Sequence, residues 1–395
     1  LRLLETAGHP HFEELALGLV DHPDPTVRRG AFEALGRHGD DLAFTRLAAR
    51  LTTETDAEAR GALLRALGST GRAEAVDLVR GELERPEAAV RRGALVALYS
   101  DCGAAEVART MVADLAASAR PEERVLAAEV LGELAPPELT RVQVDLVRDA
   151  DVEVRRAAMG ALTPGTGEAV WRAVIANLDS REVTGDALRA MLGGGLEAFS
   201  ALESAYADPD TPRSVRALLL KVAGRASAPA RTRFLVEQLK VEDRGLLGEA
   251  LWSLRWCGFR AGGAERALVE GCLEREIEHG ERMAAAVRDL QTEVGAELLA
   301  AALTQELDRT RERCFLLLSF LYDADTMMKI WSNFSGPRAV RDLAVELFED
   351  RVDRRHARAM AALLGGECPR PPLPLARHLE ALVTDSSGGT SSWIR

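Results

Sequence analysis

Residues 24–40 read DPTVRRGAFEALGRHGD: an acid and a proline, then Val-Arg, two alanines and Leu-Gly. Variants recur down the chain: DAEARGALLRALG from Asp56, EAAVRRGALVALY from Glu87, RPEERVLAAEVLG from Arg120, DVEVRRAAMGALT from Asp151, a degraded REVTGDALRAMLG from Arg181 and PRSVRALLLKVAG from Pro212. Aligned on the residue before the recurrent arginine, the anchors are Val27, Ala59, Val90, Glu123, Val154, Thr184 and Val215, spaced 32, 31, 33, 31, 30 and 31 residues apart. A fixed period of this size marks a solenoid, in which each unit buries its apolar face against its neighbours.

The chemistry inside one unit is that of a helix start. The opening Asp or Glu can accept the free N–H groups of a first turn, and Pro25 stands where no N–H is needed. Val27, Ala31, Ala34 and Leu35 then fall on one helical face, and alanine there lets a neighbouring helix come close. Gly36, Gly68, Gly132 and Gly224 stand where a helix end commonly takes a left-handed residue, and are expected to be such caps. Amphipathic runs upstream, EELALGLVDH from Glu13 and AVDLVRGELERP from Ala75, supply the first helix of each pair. The expected fold is all-α, an α-solenoid built as a superhelix of helical hairpins.

Composition agrees. Only 5% of the 395 residues are aromatic, while helix formers and small residues abound. The net charge of −12 opposes wrapping of a nucleic-acid backbone. Cys102, Cys257, Cys272, Cys314 and Cys368 show neither metal-ligand nor disulfide-framework spacing, and read as small apolar residues in a reducing, cytoplasmic setting. The longest apolar run, CFLLLSFLY at 314–322, is too short to span a bilayer. Leu1 is not Met and no secretory pattern is present, so the chain reads as a piece of a longer one.

Repeats cover residues 1–262; further helical pairs continue the stack over 263–364, among them two or three long helices between Gly263 and Asp323 and another from Arg338. Residues 365–395 hold GGECPRPPLPL, which cannot be helical and reads as a linker or a break, then a short helix and the flexible tail TDSSGGTSS.

The acid, Val-Arg and Ala-Leu-Gly pattern resembles the HEAT-repeat family, above all the short bacterial HEAT-like repeats found in phycobilin lyases, over about residues 11–262. That resemblance implies an inter-repeat structural role for Arg28, Arg60, Arg91, Arg124, Arg155 and Arg216, pairing with acids or loop carbonyls; Gly185 interrupts the series. A second likeness runs through ELDRTRERCFLLLSFLYD, IWSNF, RAVRDLAVELFED and the closing SSWIR. It is similar to the HEAT region of bacterial transporter proteins related to ATP/ADP translocases, where the repeats join a membrane transporter to a cyclic-nucleotide-binding domain. It implies a connector at the inner face of a membrane and assigns no transport or nucleotide residue here.

Motifs that could carry chemistry read as scaffold. His9, His11, His22 and His38 lack metal-ligand spacing and companion ligands. The glycines of LGGGLEAF at 192–199 lack the lysine and preceding strand of a phosphate loop and read as a turn. Trp252 and Trp256, an i, i+4 pair beside Leu251 and Leu254, are expected in the helix core; Trp331 and Trp393 are the other indoles that could stack. The positions two and six after the anchor point away from the apolar seam: Arg29, Glu33, Arg65, Arg92, Glu129, Arg156 and Lys221 form a locally basic candidate face for an acidic helix or tail. No catalytic, cofactor-binding or metal residue is assigned. The expected function is a non-enzymatic scaffold for a protein partner or for adjoining domains of the same chain, without nucleic acid or a membrane span in this segment; the alternatives are the transporter-linked connector and a bilin-lyase-like enzyme.

Overall fold

The computed structural model describes residues 11–380 apart from residues 39, 101–103, 135, 292, 294, 335, 375 and 379; His9, Cys102, Trp393 and the serine-rich tail lie outside the described residues, as does the His38 side chain. The described residues form helices and no strand. In order these are α1 (Phe12–Gly18), α2 (Pro25–His38), α3 (Asp41–Leu51), α4 (Ala57–Ser69), α5 (Ala73–Arg80), α6 (Ala88–Ser100), α7 (Ala105–Ala116), α8 (Pro121–Leu134), α9 (Thr140–Val147), α10 (Val152–Gly160), α11 (Glu168–Ala176), α12 (Thr184–Gly193), α13 (Gly195–Ala207), α14 (Arg213–Arg225), α15 (Arg231–Glu237), α16 (Arg244–Trp256), α17 (Gly263–Leu290), α18 (Glu297–Leu321), α19 (Ala324–Phe334), α20 (Arg338–Arg351) and α21 (Arg354–Met360).

Contacts gather into two compact units, Leu1–Ala201 and Leu202–Arg395. In the first, each odd-numbered helix pairs with the even-numbered helix after it, and the even-numbered helices α2, α4, α6, α8, α10 and α12 pack one against the next. In the second, α14, α16 and α18 pack in succession, α17 pairs with α18, and α19 and α20 follow. Hairpins stacked in chain order are the architecture of an α-solenoid.

The sequence dictates the helix starts. Asp56 accepts the Ala59 N–H at 2.9 Å, Asp151 those of Glu153 and Val154 at 2.8 and 3.3 Å, and Asp243 those of Gly245 and Leu246 at 2.9 and 3.0 Å. The seam is dry: Ala31, Leu35, Leu63, Leu67, Ala94 and Leu98 are at most 1% exposed. Each leucine so placed contributes about 1.5–3 kcal/mol.

The recurrent glycines are not caps. Gly36, Gly68, Gly132 and Gly224 lie inside α2, α4, α8 and α14, and none is among the glycines with positive φ. A Cβ on Gly36 would come 2.7 Å from the Ala66 Cα, one on Gly68 2.8 Å from the Ala97 Cβ, and one on Gly224 2.8 Å from the Ser253 Cβ. The missing side chain is what lets one repeat's second helix approach the next.

Trp252 and Trp256 also depart from expectation, being 37% and 69% exposed while Leu251 and Leu254 are fully buried. One step along a helix turns a side chain by about 100°, so Trp252, one step after Leu251, and Trp256, two steps after Leu254, are both carried out of the core.

The proline-rich stretch after Gly365 is not helical, yet it is tethered within its unit. The Asp289 carboxylate accepts the Leu373 N–H and meets the His378 Nε2, each at 2.9 Å, while Arg288 donates to the Arg370 carbonyl at 3.1 Å. Burial would raise the Asp289 carboxyl, but Arg288, the Leu373 N–H and His378 prevail and hold it at about 2. A folded-state value below the unfolded one, about 4, stabilises fully above the unfolded value and is lost as pH falls toward the folded one. Asp289→Asn should therefore speed tryptic cleavage after Arg377, and the stability gap between native chain and variant, followed by thermal melting, should close as pH drops from about 4 to about 2.

Candidate functional site

The arginine after the anchor turns back against its own helix start in five repeats, at Arg28, Arg60, Arg124, Arg155 and Arg216. Arg28 grips Glu54 with two bonds of 2.7 Å and donates to the His22 and Pro23 carbonyls at 2.8 and 2.9 Å. Arg60 repeats this with Glu82, both at 2.7 Å, and with the Leu51 and Glu54 carbonyls. Arg124 takes Asp149 at 2.8 and 3.0 Å, and Arg155 reaches Glu182 at 3.1 Å. Burial would raise the Glu54 carboxyl; Arg28 and the Asp56 N–H outweigh it and hold it low.

Arg91 and Arg216 make no carboxylate bond among the described residues, and the reason lies in the next repeat. Glu54 and Asp149 each also accept the backbone N–H two residues on, at 3.0 and 2.8 Å. That position is Ser118 after Arg91 and Val241 after Arg216. Ser118 instead accepts the Arg120 N–H at 3.2 Å and donates to Glu123, which occupies the anchor position. Arg216 is left with the Asp208 carbonyl at 2.7 Å. Ser118→Asp together with Glu123→Val copies the Asp149 and Val154 pair and should add about 1 kcal/mol of stability, seen as a higher melting temperature. Ser118→Asp alone should gain less, since two carboxylates would then adjoin.

In the first unit a groove of about 750 Å³ opens along the second helices. Arg29, Glu33 and Arg37 of α2, Glu58 and Arg65 of α4 and Arg92 of α6 line it. Arg92 is its hub, 3.0 Å from Glu58, 3.0 Å from Glu129 and 3.4 Å from Glu133. Burial would lower its pKa, but Glu129, Glu58 and Glu133 raise it. Arg65 lies 3.6 Å from Glu133. Arg29 has no carboxylate partner among the described residues, so the face is neutralised toward α8 and positive at α2.

Four of the residues named from the sequence, Arg29, Glu33, Arg65 and Arg92, thus line one groove. Glu129 joins it through Arg92. Arg156 is occupied further along the unit by Glu153 and by Asp186 at 3.2 Å, and Lys221, in the second unit, by Glu249 at 3.2 Å. Sequence reasoning missed Glu58, Arg37 and Glu133. Glu58 stands one before its anchor and the other two ten after theirs; with the positions two and six after the anchor they make one row of three- and four-residue steps, so the period itself could have found them.

The described residues contain no group of metal-ligating side chains, and no helix among them is long and apolar enough to cross a membrane. Cys272, Cys314, Cys257 and Cys368 are free, the first two buried; burial pushes the Cys272 thiol up to about 12.

Residues 1–68 match a family described as HEAT repeats, which bears out that resemblance. No curated protein matches the chain. Among solved structures, the chain is similar to human deoxyhypusine hydroxylase in complex with glycerol, with 15% identity, 65% of this chain and 88% of that one covered and a TM-score of 0.27. It is also similar to the complex of CpcE and CpcF of phycocyanin lyase from Nostoc sp., with 22% identity, 62% and 93% coverage and a TM-score of 0.29. The likeness of the C-terminal part to transporter-fused repeats has no counterpart in these findings.

Proposed function

We propose that the chain is a non-enzymatic scaffold for protein contacts, and that the arginine groove of its first unit receives an acidic segment of a partner or of an adjoining domain. One observation carries this reading: in a chain whose net charge is −12, the α2 end of the groove presents Arg29, which has no carboxylate partner among the described residues. Partly exposed ion pairs contribute only about 0.2–1 kcal/mol each. Several are therefore needed together, and a row of cations on successive repeats supplies them in register.

The test is fluorescence anisotropy of a labelled oligoglutamate peptide with the whole chain. The peptide should bind at low salt and be released as ionic strength rises. Arg29→Ala with Arg65→Ala should weaken it about tenfold, the loss of two such pairs, and oligolysine should not bind. Equal binding by the double variant would sink this reading.

A further inference from the structure

Two indoles on α16 stand outside the packing of the second unit. Trp252 and Trp256 are 37% and 69% exposed, and nothing in the folding of α16 asks for them, since alanine would serve an exposed helical position better. Counted from Leu246, which follows the Asp243 cap as Ala59 follows Asp56, they occupy the sixth and tenth positions after the anchor. Those are the positions that bring Arg65 and Arg37 to the groove of the first unit. In α14 the same two positions hold Lys221 and Arg225.

The Arg225 guanidinium lies over the Trp256 ring, 5.6 Å from its centroid. Arg225 is exposed and has no carboxylate partner among the described residues, whereas Lys221 is matched by Glu249 and Arg255 by Asp325 at 2.7 Å. A guanidinium stacked on an indole keeps its planar edge available, and that edge suits a carboxylate with two parallel bonds. Trp and Arg are also the side chains that most often dominate binding energy at protein interfaces.

We propose that this ledge, Trp252 and Trp256 with Arg225, binds an acidic amphipathic helix of a protein partner. An aliphatic or aromatic side chain of that helix covers the indoles, and a carboxylate pairs with Arg225. The unmatched cation selects an anionic partner. A bilayer is disfavoured on magnitude, because even a whole buried acyl chain anchors a protein only marginally and two indoles insert less apolar surface.

The ledge is tested by calorimetric titration of the whole chain, carrying Arg29→Ala and Arg65→Ala so that the groove of the first unit contributes less, and each ledge variant is compared with this parent. The probes are a synthetic helical peptide with leucines on one face and glutamates on the other, its glutamine counterpart, and vesicles of phosphatidylcholine with phosphatidylserine. The glutamate peptide should bind more tightly than the glutamine one. Trp256→Ala should weaken it about tenfold or more, and Arg225→Gln should erase the preference for glutamate. Both variants should melt with their parent, because neither side chain is buried. The proposal is overturned if the glutamate peptide does not bind, if Trp256→Ala binds it as well as the parent, if Arg225→Gln keeps the preference, or if vesicles bind and the peptide does not. None of these results touches the reading of the arginine groove, which is measured with a peptide lacking apolar residues.

Discussion

Arg313→Met is expected to cost about 3–5 kcal/mol of stability at neutral pH, the largest effect of any substitution considered for this protein. The two longest helices of the second unit, α17 and α18, are joined by a polar cluster sealed from water: Glu276, His279, Glu306, Thr310 and Arg313 are at most 7% exposed. Arg313 holds it together, donating to Glu276 at 2.6 Å, to Glu306 at 3.0 Å and to the Thr310 hydroxyl at 2.8 Å. Burial works against its charge and the two carboxylates more than restore it. Burial likewise works to raise the Glu306 carboxyl, and His279 and Arg313 hold it low.

Methionine fills similar volume and removes the donor that bonds both acids, leaving Glu276 with Arg244 at 3.5 Å and Glu306 with His279 at 3.8 Å and Arg309 at 3.7 Å, each longer than an ordinary hydrogen bond. In the native chain Arg313 helps hold the Glu306 carboxyl low against burial, so the deficit of the variant belongs to pH above the ordinary glutamate value of about 4.3 and shrinks as pH falls through the carboxylate range. Adding Glu276→Gln and Glu306→Gln to Arg313→Met should recover most of the loss, since a buried ion cluster as a whole is worth little against a neutral replacement. Denaturant titration near neutrality and in mild acid checks both statements. An Arg313→Met chain as stable as the native one, or one whose deficit is the same at both pH values, would contradict them.

That cluster was open to sequence reading and went unread. Glu306, Thr310 and Arg313 recur at four- and three-residue steps, and Glu276 and His279 three apart, all on the rows that elsewhere hold leucine and alanine. A charged residue on an apolar row points to a buried partner, but the partner sits on another helix some thirty residues away, and periodicity does not say which residue it is. The repeat was legible for the opposite reason: its acid, anchor and arginine recur at nearly constant spacing, so Val27, Ala59, Val90, Val154 and Val215 could be aligned without knowing what they touch. The groove lay between these cases. Its rows at two and six after the anchor follow from one helix, while the pairing of Arg92 with Glu58 and Glu129 depends on how neighbouring repeats are offset.

Glycine was misread because two physical demands share one location. A glycine near a helix end can be there for a left-handed turn or for want of a Cβ, and a single repeat does not separate the two. Neighbouring helices do, and Gly93 shows it most clearly. It sits in the interior of α6 against Gly61 of α4, and a Cβ added to it would lie 2.6 Å from the Gly61 carbonyl carbon. The three atoms nearest to it are all backbone of Gly61, which has no side chain to swing aside. On helix propensity alone Gly93→Ala should stabilise by about 1 kcal/mol. The contact decides the sign, and we expect Gly93→Ala to destabilise by about 1–3 kcal/mol net, with Gly93→Val at or beyond the upper end of that range. Gly30 is the control: it lies in α2 with open space where its Cβ would stand, and Gly30→Ala should bring the propensity gain unopposed. If thermal melting showed Gly93→Ala rising as Gly30→Ala does, the backbone approach of α4 and α6 would not be the contact that holds these repeats together.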